Sequence, residues 1–286
     1  MSELTELESA DAYCRLLTSR HYENFIVASG LVRGRTRADL RRIYAYCRTT
    51  DDFGDESGAA GSDRLKRWRE QVIDVFAGRA AVHPVLIALR DSIDRCRLPE
   101  QPFLDLIEAN VQDQRVASYA DWPDLRAYCM LSAAPVGRMV LRVFDLWDST
   151  AELLSDDVCI GLQLANHAQD VRRDAARGRS YLLQADLRSG GVTGAVRNLC
   201  ERARTLLSSG RQLEALAPGS LRVQLALYRL GGLAIVAAVE RTGYRTDVKR
   251  PSVSKASQVA LLARALFESS RPGARAGGFH KELTRP

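Results

Sequence analysis

Two groups of acids at helical spacing are the residues of this chain whose types and positions could do chemistry. The first is Arg48-Thr49-Thr50-Asp51-Asp52-Phe53-Gly54-Asp55-Glu56. The second is Gln163-Leu164-Ala165-Asn166-His167-Ala168-Gln169-Asp170-Val171-Arg172-Arg173-Asp174. On a helix, Asp51 and Asp55 continue the apolar stripe Leu40, Ile43, Tyr44 and Cys47, so they are expected to point inward. Cys159, Gln163, Asn166, Asp170 and Asp174 also step by three or four and share one face. Carboxylates at i and i+4 lie roughly 6 Å apart, and at an effective dielectric near 20 they repel by about 3 kcal/mol. Two such pairs facing inward make a poor structural choice unless a cation relieves them. Mg²⁺ suits carboxylate oxygens and leaves positions for phosphate oxygens. Arg48, one turn before Asp51, adds a direct phosphate contact. The spacing therefore points to a metal–diphosphate site. A lone D-D-x-x-D is a weak signal, since it also occurs at exposed helix ends. The second group strengthens it. Calcium is disfavoured because no EF-hand loop spacing is present, and a solvated acidic surface stays open at this point.

The elements that must position these residues are helices. Apolar periodicity predicts helices over 5–17, 21–32, 37–56, 62–77, 84–96, 101–116, 122–147, 151–177, 193–216, 219–243 and 254–269. Breaks fall at Gly58 to Gly61, Gly78, Pro84, Pro99, Pro123, Gly190/Gly191, Pro218/Gly219 and Pro251, and Ser62 and Ser254 are expected N-caps. No run keeps strand alternation, and no linker or repeat divides the chain. The reading is one all-α domain over 1–269 and a mobile tail over 270–286, rich in Gly, Arg and Pro.

Composition narrows the function classes. The chain has 286 residues, 46% of them hydrophobic and 27% charged, so a large packed core is expected. The net charge is +6, from 41 basic and 35 acidic residues. No basic stripe with stacking aromatics accompanies it, so nucleic acid is not an expected partner. Six spread cysteines without C-x-x-C or Cys/His spacing argue against zinc and for reduced thiols. The polar, acidic start from Met1 to Glu8 does not read as a signal peptide. The longest apolar run, Leu233 to Val239, is too short to span a bilayer. A cytoplasmic protein is expected, with peripheral membrane contact left open.

The chain also resembles the squalene/phytoene synthase family over about residues 15–268. The motifs that carry this are His21-Tyr22-Glu23-Asn24-Phe25, Ile43-Tyr44-Ala45-Tyr46-Cys47-Arg48, Tyr128-Cys129 and Pro135-Val136-Gly137-Arg138. They continue in Leu162-Gln163-Leu164-Ala165-Asn166, Gln169-Asp170-Val171, Asp174 and Arg177-Gly178-Arg179-Ser180-Tyr181-Leu182. Within the family the likeness leans toward bacterial hydroxysqualene synthase. The resemblance implies a single-domain isoprenoid-synthase (trans-prenyltransferase) helical bundle around a central cavity. It implies Mg²⁺ held by Asp51, Asp55, Asn166, Asp170 and Asp174, with Gln163 in support. Asp51, Asp55, Asp170, Asp174 and Arg48 would be catalytic. His21, Arg48, Arg179 and Tyr181 would contact the diphosphate, and Asp52, Gln163, Asn166, Met130 and Ala134 would also belong to the substrate site.

The implied reaction is Mg²⁺-dependent ionisation of an isoprenoid diphosphate, converting presqualene diphosphate to hydroxysqualene. One alternative is transfer of a short prenyl group to an indole- or carbazole-like acceptor. Another is a non-catalytic assembly factor on the same fold. The chain departs from the family pattern. Tyr128-Cys129-Met130-Leu131 replaces a tyrosine-rich segment, which argues against phytoene- or presqualene-forming activity. Ala134 stands where an Asn is usual, Ile26 and Leu183 where prolines are usual, and His167 sits inside the second acid motif. His167 is expected to pack between helices, with a general-base or water-positioning role as the alternative; His83 is expected in a loop; Tyr244, Lys249 and Arg250 are expected at the surface, with diphosphate contact from the C-terminal side as the alternative. Prenyl chain length, the acceptor, and the choice of monomer or homodimer are left open.

Overall fold

A computed structural model describes residues 3–20, 32–56 and 58–270. Among these residues the chain forms twelve α-helices: α1 (Glu3–Arg20), α2 (Gly34–Gly54), α3 (Ala59–Phe76), α4 (Pro84–Cys96), α5 (Gln101–Asp113), α6 (Trp122–Ser132), α7 (Ala134–Val143), α8 (Ser149–Ala176), α9 (Gln184–Ser208), α10 (Gly210–Leu216), α11 (Gly219–Arg241) and α12 (Lys255–Ser270). The all-helical reading is borne out. The one strand-like feature among the described residues is an isolated bridge between Ser118 and Ser180.

Start signals explain most boundaries. Proline occupies the first turn of α4, α5, α6 and α7, where its missing N–H has no intrahelical partner to lose. Asp121 and Asp148 cap α6 and α8, accepting from the backbone N–H of Asp124 and Ala151. Ser254 caps α12 as expected, accepting from the N–H of Ser257 at 3.2 Å. Ser62 does not cap a helix: α3 begins earlier, after Gly58, and Ser62 bonds to Gln114 instead. His83 is more than a loop residue, because its Nδ1 accepts from the N–H of Val85 and caps α4.

Two helix predictions are corrected. The span 122–147 is two helices, parted at Ala133, because Pro135 cannot donate to the Leu131 carbonyl and begins a new first turn. The Gly190/Gly191 break does not end a helix: α9 starts at Gln184, kinks at Gly191, and gives way to α10 at Ser209. The predicted 21–32 helix lies almost wholly outside the described residues, and so does the tail from 271 on. Among the described residues one helix, Gly219–Arg241, is long and apolar enough by composition to cross a membrane, which the sequence reading missed; half of its most apolar stretch is buried in the bundle.

Two long helices organise the packing. α2 touches α1, α3, α4, α5 and α7, whereas α8 touches α6, α7, α9, α10 and α11. The core around α2 holds Tyr46, Trp68, Leu86, Leu89, Phe103 and Ile107. Burial of each large apolar side chain contributes roughly 1.5–3 kcal/mol. The polar tips in it are satisfied: Trp68 Nε1 donates to Thr50 Oγ1 at 2.9 Å, and Tyr46 OH to the Phe103 carbonyl at 2.8 Å. A second core joins the C-terminal half of α8 to Tyr119, Tyr128, Tyr181 and Leu199.

α7 bridges the two halves, and the Pro135-Val136-Gly137-Arg138 motif serves this contact. Arg138 makes a paired ion bridge to buried Asp156 on α8, at 2.9 and 2.6 Å. A Cβ on Gly137 would lie 2.4 Å from Ser155 Oγ and 2.5 Å from Cys159 Sγ. The absent side chain is what lets α7 and α8 meet. Gly137→Ala is therefore expected to lower stability by about 1–3 kcal/mol through overpacking, read as a lower denaturant midpoint with unchanged slope.

Candidate active site

α2 delivers the first acid motif, though not on the stripe the sequence suggested. Its buried face carries Asp39, Leu40, Arg42, Ile43, Tyr46, Thr50 and Gly54. Tyr44, Cys47, Arg48 and Asp52 lie half-buried on the flank, and Asp51 and Asp55 are solvent-accessible. The acids thus stand beside the packed face and open to water, because the neighbouring helices claim the stripe one position round. Asp51 accepts from Asn110 Nδ2 of α5 at 3.2 Å, and the same amide donates to the Leu106 carbonyl. Gly54 makes room for this, since a Cβ there would lie 1.9 Å from Asn110 Oδ1. Arg48 pairs with Asp52, one turn on.

α8 delivers the second motif. Cys159, Gln163, Asn166, Asp170 and Asp174 all fall in one half-buried stripe, as their spacing predicts. Asp170 is paired with Arg250, which approaches from the connection between α11 and α12. His167 is buried and stacks on Tyr181, with ring centres 3.7 Å apart. Burial pushes its pKa down to about 3, so it is a neutral packing group at physiological pH.

The two motifs meet at the turn after α8. The backbone N–H groups of Arg177 and Arg179 both donate to the Asp174 carbonyl, at 2.9 and 3.0 Å. Their guanidinium groups reach Asp55 at 3.5 and 3.9 Å. Arg179 also lies 3.5 Å from Asp113, at the end of α5. Asp113 accepts hydrogen bonds from Tyr128 OH at 2.9 Å and Tyr181 OH at 3.0 Å. A cleft of about 400 Å³ opens here, lined by Asp55, Asp113, Gln114, Arg115, Arg177 and Arg179 among others.

Two of the carboxylates, Asp51 and Asp174, have raised pKa values. Burial by the surrounding protein, reinforced by Asp55 and Asp52, raises the Asp51 pKa to about 6 against the pull of Asn110 and Arg48. Asp174 is also raised to about 6, by burial first and then by Asp170. Its Oδ2 is buried without a hydrogen-bond partner, and the His167 Nδ1 4.0 Å away is neutral. No three His, Cys, Asp or Glu groups converge tightly enough among the described residues to form a ready-made metal cage. The donors are nevertheless carboxylate and amide oxygens, and one is orphaned. That set fits a hard divalent cation better than zinc or copper.

The other expected positions divide. Gln163 and Asn166 share the α8 stripe. Met130 packs half-buried on the second core, and Ala134 is fully buried at the α6–α7 joint with no accessible surface. Tyr181 is nearly buried and turns its hydroxyl to Asp113. Tyr244 packs beneath Arg197. His21 lies outside the described residues. Sequence reasoning missed Asn110 and Asp113, and named Arg177 only as part of a motif. Gly54 inside an acidic helix end was the available signal that a second element comes close. All six cysteines are free, as expected.

Comparison with known proteins shows the family. The family model described as squalene/phytoene synthase matches residues 18–257. The chloroplastic phytoene synthase of Narcissus pseudonarcissus is 30% identical over 91% of this chain and 67% of its own. The hydroxysqualene synthase of Rhodopseudomonas palustris is 31% identical over 73% of each. The crystal structure of squalene synthase HpnC from Alicyclobacillus acidocaldarius superposes with a TM-score of 0.79 at 44% identity, over 84% of this chain and 96% of that one. Phytoene and hydroxysqualene synthases stand at nearly equal identity, so likeness alone does not separate their products.

A raised carboxylate pKa carries a stability signature. Asp174 binds its proton more tightly folded than unfolded, so it favours the folded state below its unfolded pKa of 3.8 and costs stability as pH rises toward about 6. In metal-free protein, Asp174→Asn is expected to melt higher than the parent at pH 7.5, with the gap closing by pH 4. Thermal melts across that range check it.

Proposed function

The chain belongs to the squalene/phytoene synthase family, whose members process isoprenoid diphosphates, and we propose that within it this protein is a Mg²⁺-dependent, hydroxysqualene-synthase-like enzyme. The proposed reaction takes presqualene diphosphate and water to hydroxysqualene and diphosphate. The C–O bond to diphosphate breaks, the cyclopropylcarbinyl cation rearranges, water forms the new C–O bond, and its proton passes to the released diphosphate or to solvent. The observation that supports this best is the reach of Arg177 and Arg179, in the turn that follows the second acid motif, to Asp55 of the first, beside a cleft that Asp55 and both arginines line.

Asp51, Asp55, Asp170 and Asp174, with Asn166 and Gln163 in support, would hold the cation. When bound, Mg²⁺ supplies positive charge to the departing diphosphate, a term that is often large in catalysis. The chain's own residues do the rest. Arg177 and Arg179, already poised over the cleft, present fixed donors to phosphate oxygens. Asp113, gripped by two phenols, anchors Arg179 so that its donors keep their direction. Arg48 stands one turn from Asp51 and exchanges Asp52 for phosphate. Tyr128, Tyr181 and neutral His167 form an aromatic wall beneath the acids, where they limit water. The acid motifs and Arg48 are all in place, which weighs against the non-catalytic reading.

The test is direct. Purified protein with Mg²⁺ and presqualene diphosphate is expected to give an alcohol by mass spectrometry; no turnover of any C30 diphosphate overturns the assignment. Turnover of dimethylallyl diphosphate with an indole-like acceptor would move it to the aromatic prenyltransferases. Asp51→Asn and Asp170→Asn are each expected to lower kcat by on the order of 10²-fold or more with little effect on folding. Near-normal rates in both variants would refute the role assigned to these acids.

A further inference from the structure

The arginines that face the acid motifs are not equivalent. Arg48, Arg177 and Arg179 belong to the helix ends that carry those motifs. Arg250 comes instead from residues 242–254, the connection between α11 and α12, and stands 80 positions along the chain from the aspartate it meets.

That connection is stitched to the acidic helix at several points. Arg250 Nε donates to Asp170 Oδ1, and its Nη2 lies 3.4 Å from Asp170 Oδ2 and 3.1 Å from Gln169 Oε1. Gln169, which is buried, turns its other end outward and donates from Nε2 to the Pro251 carbonyl at 2.9 Å. Arg172 Nη1 donates to the Val248 carbonyl, also at 2.9 Å. Residues 248–251 therefore lie as a strap across residues 169–172 of α8. The guanidinium occupies both oxygens of one carboxylate in the paired geometry that favours arginine over lysine.

A carboxylate that faces a guanidinium with both oxygens keeps only its outer lone pairs for a cation. A divalent cation at the same carboxylate would also repel the guanidinium. The two occupants therefore compete. We propose that Arg250 is an internal competitor for cation at Asp170, and that cation binding there releases the 248–251 strap from α8. The proposal rests on the reading of Asp170 as a cation ligand. It assigns Arg250 a positioning role: the residue sets how tightly the site takes metal and couples that event to the strap. Asp170 is largely shielded and Arg250 about half exposed, at 17% and 44% of their side-chain surface, so the competitor leaves toward solvent at modest cost. The apparent affinity falls by the fraction of molecules in which the carboxylate is free.

The experiment titrates intact, substrate-free chain with Mn²⁺, following free ion by electron paramagnetic resonance, for the parent, Arg250→Gln, Arg250→Lys and Asp170→Asn. Arg250→Gln is expected to bind on the order of twofold to fivefold tighter than the parent, the range of a partly exposed ion pair. Arg250→Lys, which keeps the charge and loses the paired geometry, falls between them. Hydrogen exchange at residues 248 to 252 is expected to quicken on adding Mn²⁺ to the parent and to be fast already in Arg250→Gln. Equal affinity in the parent and Arg250→Gln, with Asp170→Asn weakened, overturns the proposal and leaves the Asp170 reading standing. Exchange in the strap that ignores cation overturns the coupling. Cation binding unchanged in Asp170→Asn, or absent from parent and Arg250→Gln alike, sinks the proposal and the reading beneath it together.

Discussion

Carboxylates gathered at the ends of two helices repel one another, and protein burial makes their charge harder to sustain. This is the constraint on which the site's architecture depends. Asp51 and Asp174 show it in pKa values raised to about 6. A solvated acidic surface would leave such groups near their ordinary range, since water would screen them. Around Asp174 neighbouring protein displaces that water, and the charge must be met by donors the chain supplies or by a cation. Asn110, Arg48, Arg177, Arg179 and Arg250 are the donors the structure provides. They reach the acids from α5, from α2 itself, from the turn after α8 and from the strap before α12. The converging elements of the bundle are thus tied together through their polar ends as well as their cores.

The aromatic cluster below the acids extends the same logic inward. Asp113 is buried enough to have its pKa raised, yet two phenols and a guanidinium supply hydrogen bonds and positive charge to its ionised form. Those contacts fix Tyr128, Tyr181 and Arg179 in one arrangement. Tyr181 in turn stacks on His167, whose burial leaves it uncharged. One carboxylate therefore holds both an arginine at the cleft and two stacked phenol rings of the core behind it.

Other ion networks in the molecule do a different job. Arg42 is buried and joins Asp11, Asp91 and Ser92, tying α1, α2 and α4. Arg229 is buried between Glu214 and Glu268, tying α10, α11 and α12. In both, one arginine fills its donors with partners from separate helices, and losing a partner would strand a buried charge. The arginines around the acid motifs are far less buried than Arg42 and Arg229, so an exchange of partner there leaves no charge in the core.

Helical class, most element boundaries and the two acid motifs were legible in the amino-acid sequence, because apolar periodicity, proline and aspartate act locally. The same local rule placed Gln163, Asn166, Asp170 and Asp174 on one face of α8. What the sequence could not determine was which flank of α2 would be buried, since that depends on where α1, α4 and α5 dock. Periodicity alone put Asp51 and Asp55 within the packed stripe; the assembled bundle moved them to its open edge. Nor could spacing reveal that Asn110, Asp113 and Arg250 complete the site, because each is distant in the chain from the acid it meets. Only the tertiary packing, by bringing the ends of α2, α5 and α8 together beneath the strap before α12, decided which charges would face one another.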